Sequence, residues 1–288
     1  MSKNFLVTGG SGFIGSHVVD ALIKKKYKVT IFDLDPPKRK DVKFIKGNIL
    51  DKTLVKSTLK NINFIFHLAA VSDINKVRKI PVKTIETNIL GTTYLLEASR
   101  NAHIDRFIFA GSIYSYGSAG NIYTTSKTAA ELIIKNYNLL YNQKFTILRY
   151  ATVYGPRNRE VDAISIFVER ALKNLNLIIH GNGQQKRNYI YVEDLAEGSL
   201  ISLKESTKNK VITLGSKKNI KIIELAKMII KLTKSKSKII FDKKNKRFDD
   251  FSSKYFYNKD EKNIINWQPK YDLKNGLEQY IRLRRKLY

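Results

Sequence analysis

The chain has 288 residues, long enough to bury a large core and to form a nucleotide-binding domain with a smaller second lobe. Hydrophobic residues at 43% and charged residues at 27% exclude a disordered tail, and no apolar run reaches the length of a membrane span. Cysteine is absent, which excludes disulfides, thiolate metal sites and a cysteine nucleophile, and no metal is expected. The net charge of +28 suits phosphate-bearing ligands. Its lysines are spread along the chain without a dense basic segment, so they read as a solvated surface and not as a nucleic-acid interface.

Met1-Ser2-Lys3-Asn4 leads straight into the apolar run Phe5-Leu6-Val7, leaving no room for a signal peptide, and a cytoplasmic protein is expected. Short β-rich runs then alternate with helical stretches. Strands are predicted at Phe5 to Thr8, Lys28 to Phe32, Lys43 to Lys46, Phe64 to Leu68, Arg106 to Ala110 and Phe145 to Arg149. Helices are predicted at Gly12 to Lys25, Pro81 to Asn101 and Thr125 to Tyr141. That alternation predicts an α/β, Rossmann-like, doubly wound parallel sheet with a smaller C-terminal substrate-binding lobe. Turn signals at Gly155-Pro156 and Gly181-Asn182-Gly183 mark where the alternation weakens. The expected division is a dinucleotide-binding domain over 1–155, with 188–218 returning to it, and a substrate lobe made of 156–187 and 219–288.

Thr8-Gly9-Gly10-Ser11-Gly12-Phe13-Ile14-Gly15 follows the first strand and opens the first helix, the context a dinucleotide fingerprint requires. Glycines there let the backbone approach a pyrophosphate, which the free N–H groups and the positive helix end attract. Asp33 ends the second strand at the ~20-residue distance where a carboxylate accepts the ribose hydroxyls of NAD and repels the extra phosphate of NADP. Lys38, Arg39 and Lys40 downstream are able to receive a phosphate, so NADP stays open as the less favoured cofactor. Tyr123-Thr124-Thr125-Ser126-Lys127 places a phenol and an ammonium four residues apart, on one face if a helix starts there. A nearby Lys⁺ and the positive nicotinamide ring favour phenolate, which makes Tyr123 usable as a base near neutral pH. Ser112 lies past the carboxyl end of the preceding strand, where ligands bind in open α/β sheets.

These residues together resemble an extended short-chain dehydrogenase/reductase of the NAD-dependent epimerase/dehydratase family. The resemblance spans nearly the whole chain. It is carried by Thr8 to Gly15, His67-Leu68-Ala69-Ala70, Asn88 with Gly91-Thr92, Ser112 with Tyr116-Gly117, Tyr123 with Lys127, and Leu148-Arg149-Tyr150 with Tyr154-Gly155-Pro156. It implies catalytic roles for Ser112, Tyr123 and Lys127. It implies a cofactor site of Gly9, Gly12, Phe13, Ile14, Gly15, Asp33, Asn48, Ile49, Leu68, Ala69, Ala70 and Asn88, joined by Tyr123 and Lys127. Arg187, in Arg187-Asn188-Tyr189-Ile190-Tyr191-Val192-Glu193-Asp194, resembles the arginine that holds the substrate diphosphate. Arg247 with Asp250, ahead of Trp267-Gln268-Pro269, resembles a second phosphate-binding arginine.

Departures from the family pattern bear on specificity. Only Ser118 to Ile122 separate Gly117 from Tyr123, where relatives have a longer loop, and Thr152 stands where many sugar-nucleotide epimerases carry a substrate-contacting Asn. Asn48 replaces an Asp beside the adenine, and Ala110-Gly111 a pair often made of serines. Ile113 and Tyr114 occupy the positions of the Asp-Glu pair of 4,6-dehydratases, so dehydration is not expected. The resemblance implies a nucleotide-sugar 4-epimerase, with UDP-hexose the expected substrate, and a homodimer paired through the Pro81 to Asn101 and Thr125 to Tyr141 helices. The same residues also serve a nucleotide-sugar 4-ketoreductase or C4 dehydrogenase. A non-catalytic NAD(P)-binding sensor would be expected to lose Tyr123, Lys127 or Ser112.

Overall fold

Apolar, β-branched runs and glycine turns lay down strands and helices alternately through the first half of the computed structural model, which describes residues 3–116, 121–158, 162–242 and 266–286. β1 (Asn4–Thr8) leads through the glycine turn to α1 (Phe13–Lys24), β2 (Lys28–Asp33) and β3 (Lys43–Lys46). Asp51 caps α2 (Lys52–Thr58) by accepting from Leu54 N–H, β4 (Phe64–His67) follows, and Asp73 caps α3 (Ile74–Lys79) in the same manner. Pro81 opens α4 (Pro81–Ile85), a π-helical turn covers Glu86–Leu90, and α5 (Gly91–Arg100) continues. After β5 (Arg106–Ser112) and a 3-10 turn (Ile113–Tyr116), Asn121 accepts from Thr124 N–H and starts α6 (Ile122–Tyr141), ahead of β6 (Phe145–Tyr150).

The later elements are β7 (Thr152–Tyr154), α7 (Ala163–Leu172), β8 (Leu177–His180), β9 (Lys186–Tyr191), α8 (Val192–Ser199), β10 (Lys210–Leu214), β11 (Asn219–Lys221), α9 (Ile222–Thr233), β12 (Ile239–Asp242) and α10 (Leu273–Arg285). Seven strands form one sheet in the order β10-β6-β5-β4-β1-β2-β3. The registers from β6 to β3 are all parallel. Asn209 N–H donates to Phe145 O and Ala151 N–H to Leu214 O, so β10 runs the same way beside β6. The α/β, doubly wound fold expected from the alternation is thus the one observed. The order of winding reverses between β1 and β4, and ligands of such sheets bind at the carboxyl ends of the strands flanking that reversal.

The chain divides into two compact units. The first comprises the residues up to Tyr150 together with Ser199–Thr213, and the second holds Ala151–Gly198 with the elements from β11 onward. Ser199–Thr213 thus joins the first unit, while β9 and β11 pair antiparallel and β9 pairs with β7 in a three-stranded sheet of the second unit. The core of the first unit is built from aromatic and branched side chains such as Leu6, Phe32, Ile65, Phe107 and Ile147. That of the second gathers Tyr154, Val168, Leu225, Ile229 and Leu277.

Two predicted helices differ in form. Pro81 to Asn101 was expected as one helix, and the π-helical turn interrupts it where the buried Asn88 side chain is tied to the backbone of Val71. α6 begins at Ile122, not Thr125, which brings Tyr123 inside its first turn. The middle of α6 is fixed to the sheet by Glu131, fully buried, which receives Arg149 Nε at 3.1 Å and Nη2 at 2.6 Å. Glu131→Ala leaves that largely buried guanidinium without its carboxylate and is expected to lower unfolding free energy by about 3 kcal/mol. Guanidinium titration of the variant against the parent chain measures the loss, and an unchanged midpoint would contradict the role given to the pair.

Candidate functional site

The turn after β1 closes on itself through Gly12 N–H donating to Gly9 O at 3.1 Å, while Gly9 N–H donates to Phe32 O on β2. Gly9 has φ +71°, and a Cβ there would lie 2.6 Å from the backbone nitrogen of Ala69. At Gly15 a Cβ would meet Gly9 O at 2.0 Å, so α1 packs against the turn only because this position has no side chain. Gly12, the N-cap of α1, offers no side-chain cap, and the Ser11 hydroxyl is buried without a protein partner. Backbone N–H groups at an uncapped helix start, beside an orphaned hydroxyl, fit a pyrophosphate.

Asp33, at the end of β2, accepts from Ser11 N–H at 2.9 Å and so stands beside the same turn. Arg39 is engaged elsewhere: Nη1 meets Asp20 at 2.5 Å, while Nε and Nη2 grip Asp41 at 2.7 and 2.6 Å. Of the three cations downstream of Asp33, Arg39 is thus already paired with carboxylates, which agrees with NAD. Asn48 Oδ1 accepts from Leu50 N–H, Ile49 is buried against Gly91, and Phe13 lies edge-on to His17. Leu68 and Ala69 donate their N–H groups to Thr8, tying the end of β4 to the glycine turn, and Ala70 follows half-buried. Asn88, 2% exposed, spends its amide on Val71 and Ser126.

Ser112, Tyr123 and Lys127 converge within the first unit. The Ser112 hydroxyl stands beside the Tyr123 phenol and accepts from Tyr114 N–H. Lys127, 3% exposed, donates from Nζ to Ala110 O at 2.8 Å, with its ammonium 4.6 Å from the centre of the Phe109 ring. Burial pulls the Lys127 ammonium down to about 8, opposed by the Glu131 carboxylate one helical turn on. Burial pushes the Tyr123 phenol up to about 12, with the Ser112 hydrogen bond pulling it back and Tyr114 adding to the rise. Sequence reasoning expected Lys127 and the positive nicotinamide ring together to favour phenolate; in the protein alone the Lys127 ammonium donates to the Ala110 carbonyl and burial raises the phenol.

Thr152 and Arg187 belong to the second unit, on the adjoining strands β7 and β9, where Thr152 is opposite Tyr189 and Arg187 opposite Ile220 of β11. Arg187 is half-buried and donates from Nη1 to Lys186 O. Arg247 and Asp250 lie outside the described residues, as does the stretch 117–120 before Tyr123. Sequence reasoning gave no part to Glu131, which holds the helix of Tyr123, or to the ring of His67, which it met only in the turn His67-Leu68-Ala69-Ala70. Nor did it find Asn188, whose side chain binds the backbone of Ser216 and the side chain of Asn219. Each acts across long sequence separations, and the one local signal was a polar residue at the end of an otherwise apolar strand. No group of residues able to hold a metal ion occurs among the described residues.

With turn, carboxylate and Ser-Tyr-Lys cluster in one unit, the protein class is defined: a dinucleotide-binding member of the short-chain dehydrogenase/reductase type. The profile of the NAD dependent epimerase/dehydratase family matches residues 5–215, and the chain belongs to that family. A Methanocaldococcus jannaschii protein that carries a provisional name as a UDP-glucose 4-epimerase is 33% identical over 96% of both chains. The UDP-N-acetyl-alpha-D-glucosaminuronate decarboxylase of Bacillus cytotoxicus is 32% identical over 83% of each. Among solved structures, the UDP-glucose 4-epimerase of Thermotoga maritima with UDP-glucose superposes with a TM-score of 0.92 at 29% identity, covering 99% of this chain and 100% of that one.

A buried ammonium imposes a pH dependence. Its pKa is depressed on folding, so between about 8 and 10.5 the unfolded chain binds the extra proton and stability rises with pH. Below that window the buried charge costs up to about 3 kcal/mol. Lys127→Met is therefore expected to be more stable than the parent at pH 7, with the difference shrinking as pH rises through the window. Denaturant titrations of both proteins at pH 7 and 10 read this, and a difference that grows with pH would contradict it.

Proposed function

We propose that the chain is an NAD-dependent nucleotide-sugar 4-epimerase acting on a UDP-hexose. The observation that carries this reading is the Ser112 hydroxyl beside the Tyr123 phenol at the end of β5, with the Lys127 ammonium behind it, in a segment whose dehydratase positions hold the buried Ile113 and the phenol of Tyr114. With no carboxylate at those positions, elimination of water from the sugar lacks its acid and base. What remains is chemistry at one hydroxyl.

Tyr123 takes the proton of the C4 hydroxyl and returns it, and Ser112 holds the same oxygen by hydrogen bonding. Lys127 supplies positive charge along the helix one turn from the phenol. NAD, when bound, supplies the hydride acceptor and donor for C4, and its positive nicotinamide ring favours phenolate. The turn of Gly9, Gly12 and Gly15 and the carboxylate of Asp33 are the residues that hold it. Arg187 and Arg247, assigned by resemblance, grip the diphosphate. Because that grip is remote from C4, the hexose is free to present its other face without release.

The helices of the first unit support a second part of the reading, a homodimer. α4 and the π-helical turn expose Val82, Ile85 and Leu90, and α6 exposes Leu132, Leu139 and Leu140. Apolar side chains in this number on neighbouring helices suit pairing of two copies.

Purified protein incubated with UDP-glucose and with UDP-N-acetylglucosamine, without added reductant, is expected to yield the C4-inverted sugars by NMR with no net NADH. Tyr123→Phe is expected to reduce turnover by roughly a hundredfold or more. Stoichiometric NADH without inversion would replace the epimerase reading with a C4 dehydrogenase, and near-normal turnover of Tyr123→Phe would remove the proposed base.

A further inference from the structure

His67 ends β4 with 1% exposure, edge-on to Phe107 and tilted against Phe109, yet both its ring nitrogens are hydrogen-bonded. The directions of these bonds follow from counting protons. The Thr92 hydroxyl donates its one proton to Asn88 O at 2.7 Å. Toward His67 Nε2, at 2.9 Å, it is then only an acceptor, so Nε2 carries the hydrogen. Burial and the neighbouring Lys127 ammonium hold the ring's pKa down at about 3, so it is neutral and its Nδ1 accepts. The Thr8 hydroxyl donates to Nδ1 at 2.7 Å and in turn accepts from Ala69 N–H.

The series of donors therefore runs one way from Ala69 through Thr8, His67 and Thr92 to Asn88. Asn88 continues it: its amide nitrogen donates to Val71 O at 3.0 Å and to Ser126 Oγ at 2.9 Å, and its oxygen accepts from Val71 N–H. Ser126 then gives its own proton to the carbonyl of Tyr123 at 2.8 Å. One end of this network is Thr8 and Ala69, whose backbones enclose Gly9 of the cofactor turn, and the other is the first turn of α6, which carries the catalytic phenol.

We infer that His67, as the neutral Nε2–H tautomer, is a positioning residue for the reaction: it joins the cofactor turn to the helix of Tyr123 through one directed hydrogen-bond network. A phenylalanine would fill the same aromatic site between the strands, and the network makes His67 necessary where packing alone does not. Loss of the ring nitrogens leaves the Thr8 hydroxyl without its acceptor and the Thr92 hydroxyl without its donor in a buried site, which breaks the network at its middle. The consequence falls on cofactor binding and on turnover, not on recognition of the sugar.

This inference rests on the role proposed for Tyr123, but its first measurement does not. Calorimetric NAD binding to the sugar-free protein is compared for the parent, His67→Phe, His67→Gln and Thr92→Val, followed by kcat and KM for UDP-glucose over pH 5 to 8 in NAD-saturated protein. His67→Phe and Thr92→Val are expected to weaken NAD binding and lower kcat, each by roughly tenfold, with KM moved less than about threefold. His67→Gln, which keeps an acceptor and a donor on one planar group, is expected to recover most of both. Folded His67→Phe with unchanged NAD affinity and kcat overturns the inference, as does a glutamine variant no better than phenylalanine. If His67→Phe does not fold, Thr92→Val decides alone, and full NAD affinity in it overturns the inference. If the parent inverts no sugar, the reading of the reaction fails and the NAD arm still decides this one.

Discussion

A lysine ammonium held in the interior of a protein, next to a phenol, is the constraint around which the first unit is arranged. Water does not reach Lys127 in any quantity, so its charge must be met by fixed protein groups. It is met by the Ala110 carbonyl, the face of Phe109 and, one turn along α6, the Glu131 carboxylate. Glu131 is itself satisfied by Arg149 on β6. The charges thus alternate from Lys127 to Glu131 to Arg149, and that alternation fixes the helix on the sheet at the point where Ser112 leaves β5.

Ser112 stands beside Tyr123, and the two positions after it hold Ile113 and Tyr114, neither a carboxylate. The cofactor turn on the other side of the sheet reversal depends on close backbone approach, with Gly9 against Ala69 and Gly15 against Gly9. These two halves meet through polar atoms that are buried and hydrogen-bonded, from Thr8 to Ser126.

Much of this was legible in the sequence because the signals were local. The β1 strand, the glycine turn and the first helix follow one another within the first twenty-odd residues, and each is dictated by its own composition. Lys43–Lys46 was read to the residue, and β1, β2, β4, β5 and β6 to within two. The π-helical turn was not legible, since it accompanies the tie between Asn88 and Val71, seventeen residues away. α6 starts three residues ahead of the helix the apolar pattern suggests, because Asn121 caps it just before Tyr123. Spacing showed that Tyr123 and Lys127 would share a helix face, but not that the ammonium would turn to Ala110 or that burial would raise the phenol. Those depend on how closely α6 approaches β5, which no local pattern encodes.

In the proposed reaction Tyr123 handles only the proton on the C4 oxygen, and the carbon-bound hydrogen does not exchange with water. UDP-glucose deuterated at C4, incubated with the protein in ordinary water, tests it directly. C4-inverted product that keeps its deuterium at C4 is expected. Inverted product carrying hydrogen from water at that position would mean that the carbon itself is deprotonated, and would contradict the role given to Tyr123.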